Sequence, residues 1–323
     1  MEQRRYIPLC ERPGPVILDT DIGPDCDDVG ALAVLISYAK EYGFPILGVC
    51  NCTSNNAGTG TIDAVARFCN YPIERIAQWD KPGFMDDASC HKYNTFVAEH
   101  FSDAYRTGTL TPENPASFYR SLLADAADHS VTVISIGMFN CLAALLASGP
   151  DAYSPLSGAE LVRQKIYAMV SMAALLPRGR ECNIICDYVA AKHVFDGWQA
   201  PIYLSHFNVG YTFRTGFDGI CETPQMQKNP IYKSYEMYTA GVCNNSSFDL
   251  TAVQFAVMGE GALYRLDPPG RLEFYTEIPN LPDATVFVPD EAGTIYPMQK
   301  VADDQTLQAE LNRRIRQFSV PEN

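Results

Sequence analysis

Short apolar runs alternate with segments of helical period over roughly 200 residues, and few architectures accommodate that alternation. PVIL at 15–18 reads as a buried strand ending at Asp19. PILGVC (45–50), VTVISI (131–136), KIYAMV (165–170) and PIYLS (201–205) read as further strands. From Asp27 the period changes. Val29, Leu32, Ala33 and Ile36 form the i, i+3, i+4, i+7 stripe of a helix. Asp27 and Asp28 suit its start, where unpaired backbone N–H groups favour negative charge. Helices are also expected over 61–68, 118–127, 142–146, 189–195 and 249–258. The alternation predicts an α/β fold, a mostly parallel central sheet with helices on both faces, with ligands at the carboxyl ends of the strands. RLEFYT (271–276) and ATVFV (284–288) read as a late hairpin or sheet edge. With no repeat and no linker, 1–323 is expected to be one domain, its motifs within about 16–259 and its last strands and helix within 260–323.

Charge and composition remove several classes of function. Lys plus Arg number 24 against 38 Asp plus Glu, and no basic run exceeds Arg4-Arg5 or Arg313-Arg314, so no nucleic-acid partner is expected. No stretch approaches ~18 uninterrupted apolar residues, so no membrane span is expected. The opening MEQRRYIPLCERPGP lacks the apolar region of a secretory signal. The 11 cysteines include no Cys-x-x-Cys pair. They read as free thiols of a reducing cytoplasm, with neither a disulfide nor a zinc framework.

The segment DTDIGPDCDD (19–28) holds five aspartates: Asp19, Asp21, Asp25, Asp27 and Asp28. With 38 acids in 323 residues, ten residues would carry about one. Like charges packed at a strand end cost free energy unless a cation or protons neutralise them. Oxygen-only ligands suit calcium or magnesium and not zinc. An EF-hand counted from Asp19 requires Gly sixth and Glu twelfth, where Pro24 and Gly30 stand. GTGT at 58–61 lacks the lysine of a phosphate loop. A haloacid-dehalogenase phosphatase also begins strand–Asp-x-Asp, with Asp19 as nucleophile, but Gly23 and the acids that follow depart from it.

The run VILDTDIGPDCDDVGALAVL resembles the N-terminal signature of the inosine–uridine-type nucleoside hydrolases, Asp-Thr-Asp-x-Gly followed by Asp-Asp and an apolar helix. Three later segments are similar in order. SIGMFNCLAALL (135–146) places Asn140 where the family gives a backbone carbonyl to calcium. GRECNIICD (179–187) matches a sugar-gripping Glu-aromatic-Asn at Glu181 and Asn183, with Cys182 replacing the aromatic. SFDLTAVQFAV (247–257) matches a metal-closing aspartate at Asp249, with Phe248 in the His or Trp place. Asn55 falls where the family places a ribose-contacting asparagine.

The resemblance implies a calcium-dependent ribonucleoside hydrolase of base salvage, cytoplasmic and forming a homo-oligomer. Asp21 would touch the metal and act as general base, with Asp28, Asp249 and the Asn140 carbonyl as the other ligands. Asp27, Asn55, Glu181 and Asn183 would bind the ribose, with Asp19 and Asp25 supporting the metal site from behind. Help for the departing base is the open point, since Phe248 replaces the family histidine. His91, His206 and Tyr211 are the candidates, and a ribosyl-binding protein without turnover is the alternative.

Overall fold

The apolar run at 16–18 forms the first strand of the fold, and its pleat distributes side chains to two cores. The structure, a computed structural model, describes residues 6–220, 222–276 and 283–318. Strand β1 (Val16–Thr20) is followed by β2 (Ile46–Asn51), β3 (Ile76–Gln78), β4 (Val131–Ser135) and β5 (Ile166–Met172). Next come β6 (Arg178–Gly179), β7 (Ile202–Ser205), β8 (Arg214–Gly216) and β9 (Asn244–Ser246). The last strands are β10 (Tyr264–Leu266), β11 (Gly270–Tyr275), β12 (Ala284–Pro289) and β13 (Ile295–Lys300).

The main sheet runs β3-β2-β1-β4-β5-β7-β13-β11-β12-β6. Strands from β3 through β13 in that order are all parallel. The expected late pair is present, with β11 and β12 antiparallel and joined to the sheet through β13. β10 adds antiparallel to β13, and β8 and β9 form a separate small ribbon. The strand order reverses between β1 and β4, so a crevice opens at their carboxyl ends, the usual ligand site of such sheets.

Side chains alternate across the sheet. Val16 and Leu18 enter the core shared with the helices Asp27–Tyr42 and Phe248–Met258. Ile17 enters the opposite core, packed with Pro115–Asp125, Asn140–Ala147 and Tyr188–Gly197. Asp27–Tyr42 is buried from Asp27 to Ala39, which explains its apolar content on every face. No described helix is long and apolar enough to cross a membrane.

Several boundaries differ from expectation, each for a local reason. β1 continues through Thr20, because Asp19 and Thr20 pair in register with Cys50 and Asn51, so Asp19 lies within the strand. The helix expected at 61–68 begins at Asn56, because the Asn55 side chain accepts from the Ala57 N–H and caps it. The helix expected at 118–127 starts at Pro115 under an Asn114 cap.

Candidate metal centre and cleft

Two helices deliver acids to one point. Asp27 and Asp28 open Asp27–Tyr42, and Asp249 lies in the first turn of Phe248–Met258. These helices pack against each other, so their positive ends meet at the acids and offset part of the repulsion. Carboxylate oxygens of Asp25, Asp27, Asp28 and Asp249 all lie within 4.8 Å of one another. Two oxygens on one calcium, each at about 2.4 Å, stand at most about 5 Å apart, so the spacing fits a shared ion.

The hydrogen bonds assign different tasks to these acids. Thr20 Oγ1 donates to Asp28 Oδ1, while Asp28 Oδ2 is buried with no partner among the described residues. Asp27 Oδ1 accepts from Asn245 Nδ2 at 3.1 Å, and its Oδ2 accepts from the Asp249 N–H at 3.2 Å. Asp27 therefore braces the start of the second helix. Tyr93 donates to the Asp25 backbone carbonyl and fixes that loop. No described Lys or Arg forms an ion pair with any of the four acids.

Burial is the main cause pushing all four carboxyls above the usual range; neighbouring acids push Asp27, Asp28 and Asp249 further. An orphaned buried oxygen, an all-oxygen donor set and no ion pair among the described residues together fit a hard divalent cation.

Asp21 is not one of the four. It lies just beyond β1, is 7% exposed, and faces a cleft of about 160 Å³. Asp25, Glu181, Asn183, Phe207, Phe248 and Asp249 line the same cleft. Burial and then Asp25 push the Asp21 carboxyl well up.

The sugar-side residues divide. Glu181 Oε1 accepts from Asn183 N–H at 2.8 Å, and Oε2 accepts from Ala174 and Ile184 N–H at 3.0 and 3.3 Å. It caps its turn, and burial raises its carboxyl to about 7. Ala174 sits in the left-handed region (φ 66) and also gives its carbonyl to the Phe207 N–H, so one strained residue couples two cleft walls. Asn183 Nδ2 donates to the Ile136 and Met172 carbonyls, at the carboxyl ends of β4 and β5. Its Oδ1 accepts from no described residue, so an acceptor remains for the cleft.

Asn55 uses both polar atoms within the chain, Oδ1 on the Ala57 N–H and Nδ2 on the Cys90 carbonyl. Asn140 begins the Asn140–Ala147 helix and donates to the Cys52 carbonyl. Its own carbonyl stands where helices make ladder bonds, and it does not line the cleft.

Asp19 is fully buried on the Ile17 side of the sheet and accepts from the Tyr119 hydroxyl. Burial raises it to about 7. Sealed from the cleft, it offers no nucleophile, which removes the structural basis for a phosphatase.

None of the three histidine or tyrosine candidates lines the cleft. His91 contacts Asp86 and Thr95 on an outer loop. His206 is buried against Asn208 and Gln299, and burial lowers its pKa. Tyr211 is 59% exposed and stacks on Phe207, which itself stacks on Phe248 at 4.8 Å between centroids. Phe207 and the exposed Arg180 are cleft residues for which the sequence carries no motif.

Gly137 shows how closely the backbone packs here. A Cβ there would lie 2.6 Å from the Asp21 nitrogen and 2.8 Å from the Thr20 carbonyl carbon. Gly137→Ala is expected to cost about 1–3 kcal/mol in thermal unfolding through overpacking.

With this geometry established, three solved structures place the architecture among known folds. The inosine-uridine preferring nucleoside hydrolase from Bacillus anthracis superposes with TM-score 0.65 and 13% identity, over 93% of this chain and 99% of that one. The purine-preferring ribonucleoside hydrolase from Gardnerella vaginalis gives 0.66 and 18%, over 94% and 98%. The type III effector protein XopQ, complexed with adenosine diphosphate ribose, gives 0.65 and 14%, over 95% and 94%. The chain has the nucleoside-hydrolase fold. No protein-family model and no curated protein matches it.

Proposed function

We propose that this chain is a calcium-dependent hydrolase of the N-glycosidic bond of ribonucleosides, releasing free base and ribose. The observation that carries this reading is the meeting of Asp249 with Asp25, Asp27 and Asp28 beside a cleft that Asp21 faces. Asp28 and Asp249 would hold the ion, with Asp25 within reach and Asp27 as brace. Calcium bound there would supply the positive charge that makes a neighbouring water more acidic.

Asp21, whose carboxylate accepts no described side-chain hydrogen bond, takes the water's proton. The free Oδ1 of Asn183 accepts from a ribose hydroxyl and orients the ring. Carboxylates around the ring favour the cationic character that the sugar develops as the bond to the base breaks. Phe207 and Phe248 offer a stacking surface for the base. Phe207→Ala is expected to raise KM by about 5–150-fold, the worth of about 1–3 kcal/mol of stacking, with a smaller change in kcat. Steady-state kinetics on the preferred nucleoside measure it.

One observation favours a second reading. The cleft is lined by Phe248 and no described histidine, so no imidazole is at hand to protonate the departing base. A ribosyl-binding protein without turnover would share every other feature. A nucleoside panel assayed for free ribose, with and without chelator, decides. Chelator-sensitive release supports the hydrolase, and saturable binding without release supports the second reading.

A further inference from the structure

Cys182 and Cys186 stand four residues apart, a spacing that puts two thiols on one helical face. Cys182 begins the single-turn helix Cys182–Ile185 and Cys186 caps its end. Their sulfurs lie 3.4 Å apart. Cys182 is exposed and lines the cleft with Asp21 and Asp249, whereas Cys186 is half-buried. The hydrogen bond between them pushes the Cys186 thiol down and the Cys182 thiol up.

We propose that Cys182 and Cys186 form a dithiol clamp for a thiophilic divalent ion of the zinc class at the mouth of the cleft, separate from the hard-ion site at the acid cluster. Magnitudes favour chelation over a disulfide. Two sulfurs bound tetrahedrally to zinc at about 2.3 Å stand about 3.8 Å apart, so a few tenths of an ångström of side-chain movement suffice. A disulfide requires Cβ atoms about 3.5–4.5 Å apart. Helical neighbours at this spacing hold them about 5–6 Å apart. Closing that gap would unwind the turn and strain the Cys186 N–H bond to the Cys182 carbonyl, 3.0 Å long.

Chelation leaves the turn intact. The ion displaces the thiol protons to solvent, two from two thiols, and no electron is transferred. Two protein sulfurs leave the remaining positions to water, which makes the site exchangeable rather than structural. An ion there narrows the approach to Asn183; that consequence rests on the nucleoside reading, while the site itself does not.

Cobalt(II) is the probe, added to the reduced full chain with excess calcium to fill the acid cluster. Carboxylate-bound cobalt gives no thiolate charge-transfer absorption, so the near-ultraviolet band reports thiolate ligation, and the Cys182 and Cys186 variants separate this clamp from the buried Asp19, Cys50 and Cys141 group. A band saturating at one equivalent and bleached by zinc is expected. Cys186→Ser should remove the band and weaken cobalt binding by at least about 10-fold, with circular dichroism unchanged. Cys10→Ser should retain it. Absence of the band in the reduced wild type overturns the proposal, as does a band that survives in both Cys182→Ser and Cys186→Ser. Conversion of the pair to a disulfide on metal addition, seen as loss of two hydrogens from the tryptic peptide, overturns it too. Ribose release is not read, so failure of the hydrolase assignment leaves every outcome interpretable.

Discussion

Asp21→Asn is expected to lower ribose release by about 10²–10⁴-fold, the range that a positioned general base supplies. The substitution keeps the volume of the side chain and removes its capacity to accept a proton. Asp21 makes no described side-chain hydrogen bond and follows a strand paired on both edges, so circular dichroism and melting temperature should stay close to wild type. Asn at this site also removes one negative charge from a buried acidic group, a change that favours the fold. A variant that folds, binds nucleoside and releases no ribose fits the assignment. Release at the wild-type rate would remove Asp21 from the chemistry.

Metal and pH together should produce the largest effect on stability. Burial raises Asp19 from 3.8 to about 7 and Glu181 from 4.5 to about 7, and it raises the clustered acids as well. At these groups the folded, metal-free chain therefore binds more protons than the unfolded chain once pH exceeds about 4. The contribution of these raised carboxyls to stability is fullest below that point and falls as pH rises through 7. A carboxyl raised by three units contributes on the order of 4 kcal/mol of that loss.

Calcium acts against the decline, since it binds the ionised carboxylates of the folded state. At 100 times Kd it stabilises by about 2.7 kcal/mol. Melting curves from pH 5 to 8 should show chelated protein losing several degrees as pH increases, and a gap to calcium-loaded protein that widens in parallel. Superimposable curves at pH 8 would be incompatible with a metal at the acid cluster. Asp249→Asn should lower calcium affinity and relieve part of the decline in the chelated state, because one buried charge is gone.

Local chemistry explains which features could be read along the chain. The apolar run at 16–18 and the helical stripe from Val29 to Ile36 encode their own periods, so β1 and the helix after it were legible. The acid density at 19–28 exceeds what a solvated turn explains, and by itself it points to a cation. Asn55 was less legible, because an asparagine ahead of a helix can cap it as readily as touch a ligand. His206 follows a strand as a site residue would, yet the segment around it is buried against Asn208 and Gln299. Cys182 and Cys186 carry a readable spacing, but a search for Cys-x-x-Cys passes over it.

Residue order by itself determined the layered α/β architecture and the need to neutralise an acidic strand end, because periodicity and like-charge repulsion act between near neighbours. Tertiary structure alone decided which carboxylates converge. Asp249 reaches the early acids only because two helices pack with their N-termini together. The strand pleat turns Asp19 into the core, and the loop after β1 leaves Asp21 facing the cleft. The meeting of Asp27 with Asp249 depends on contacts between segments more than two hundred residues apart, and no local pattern encodes it.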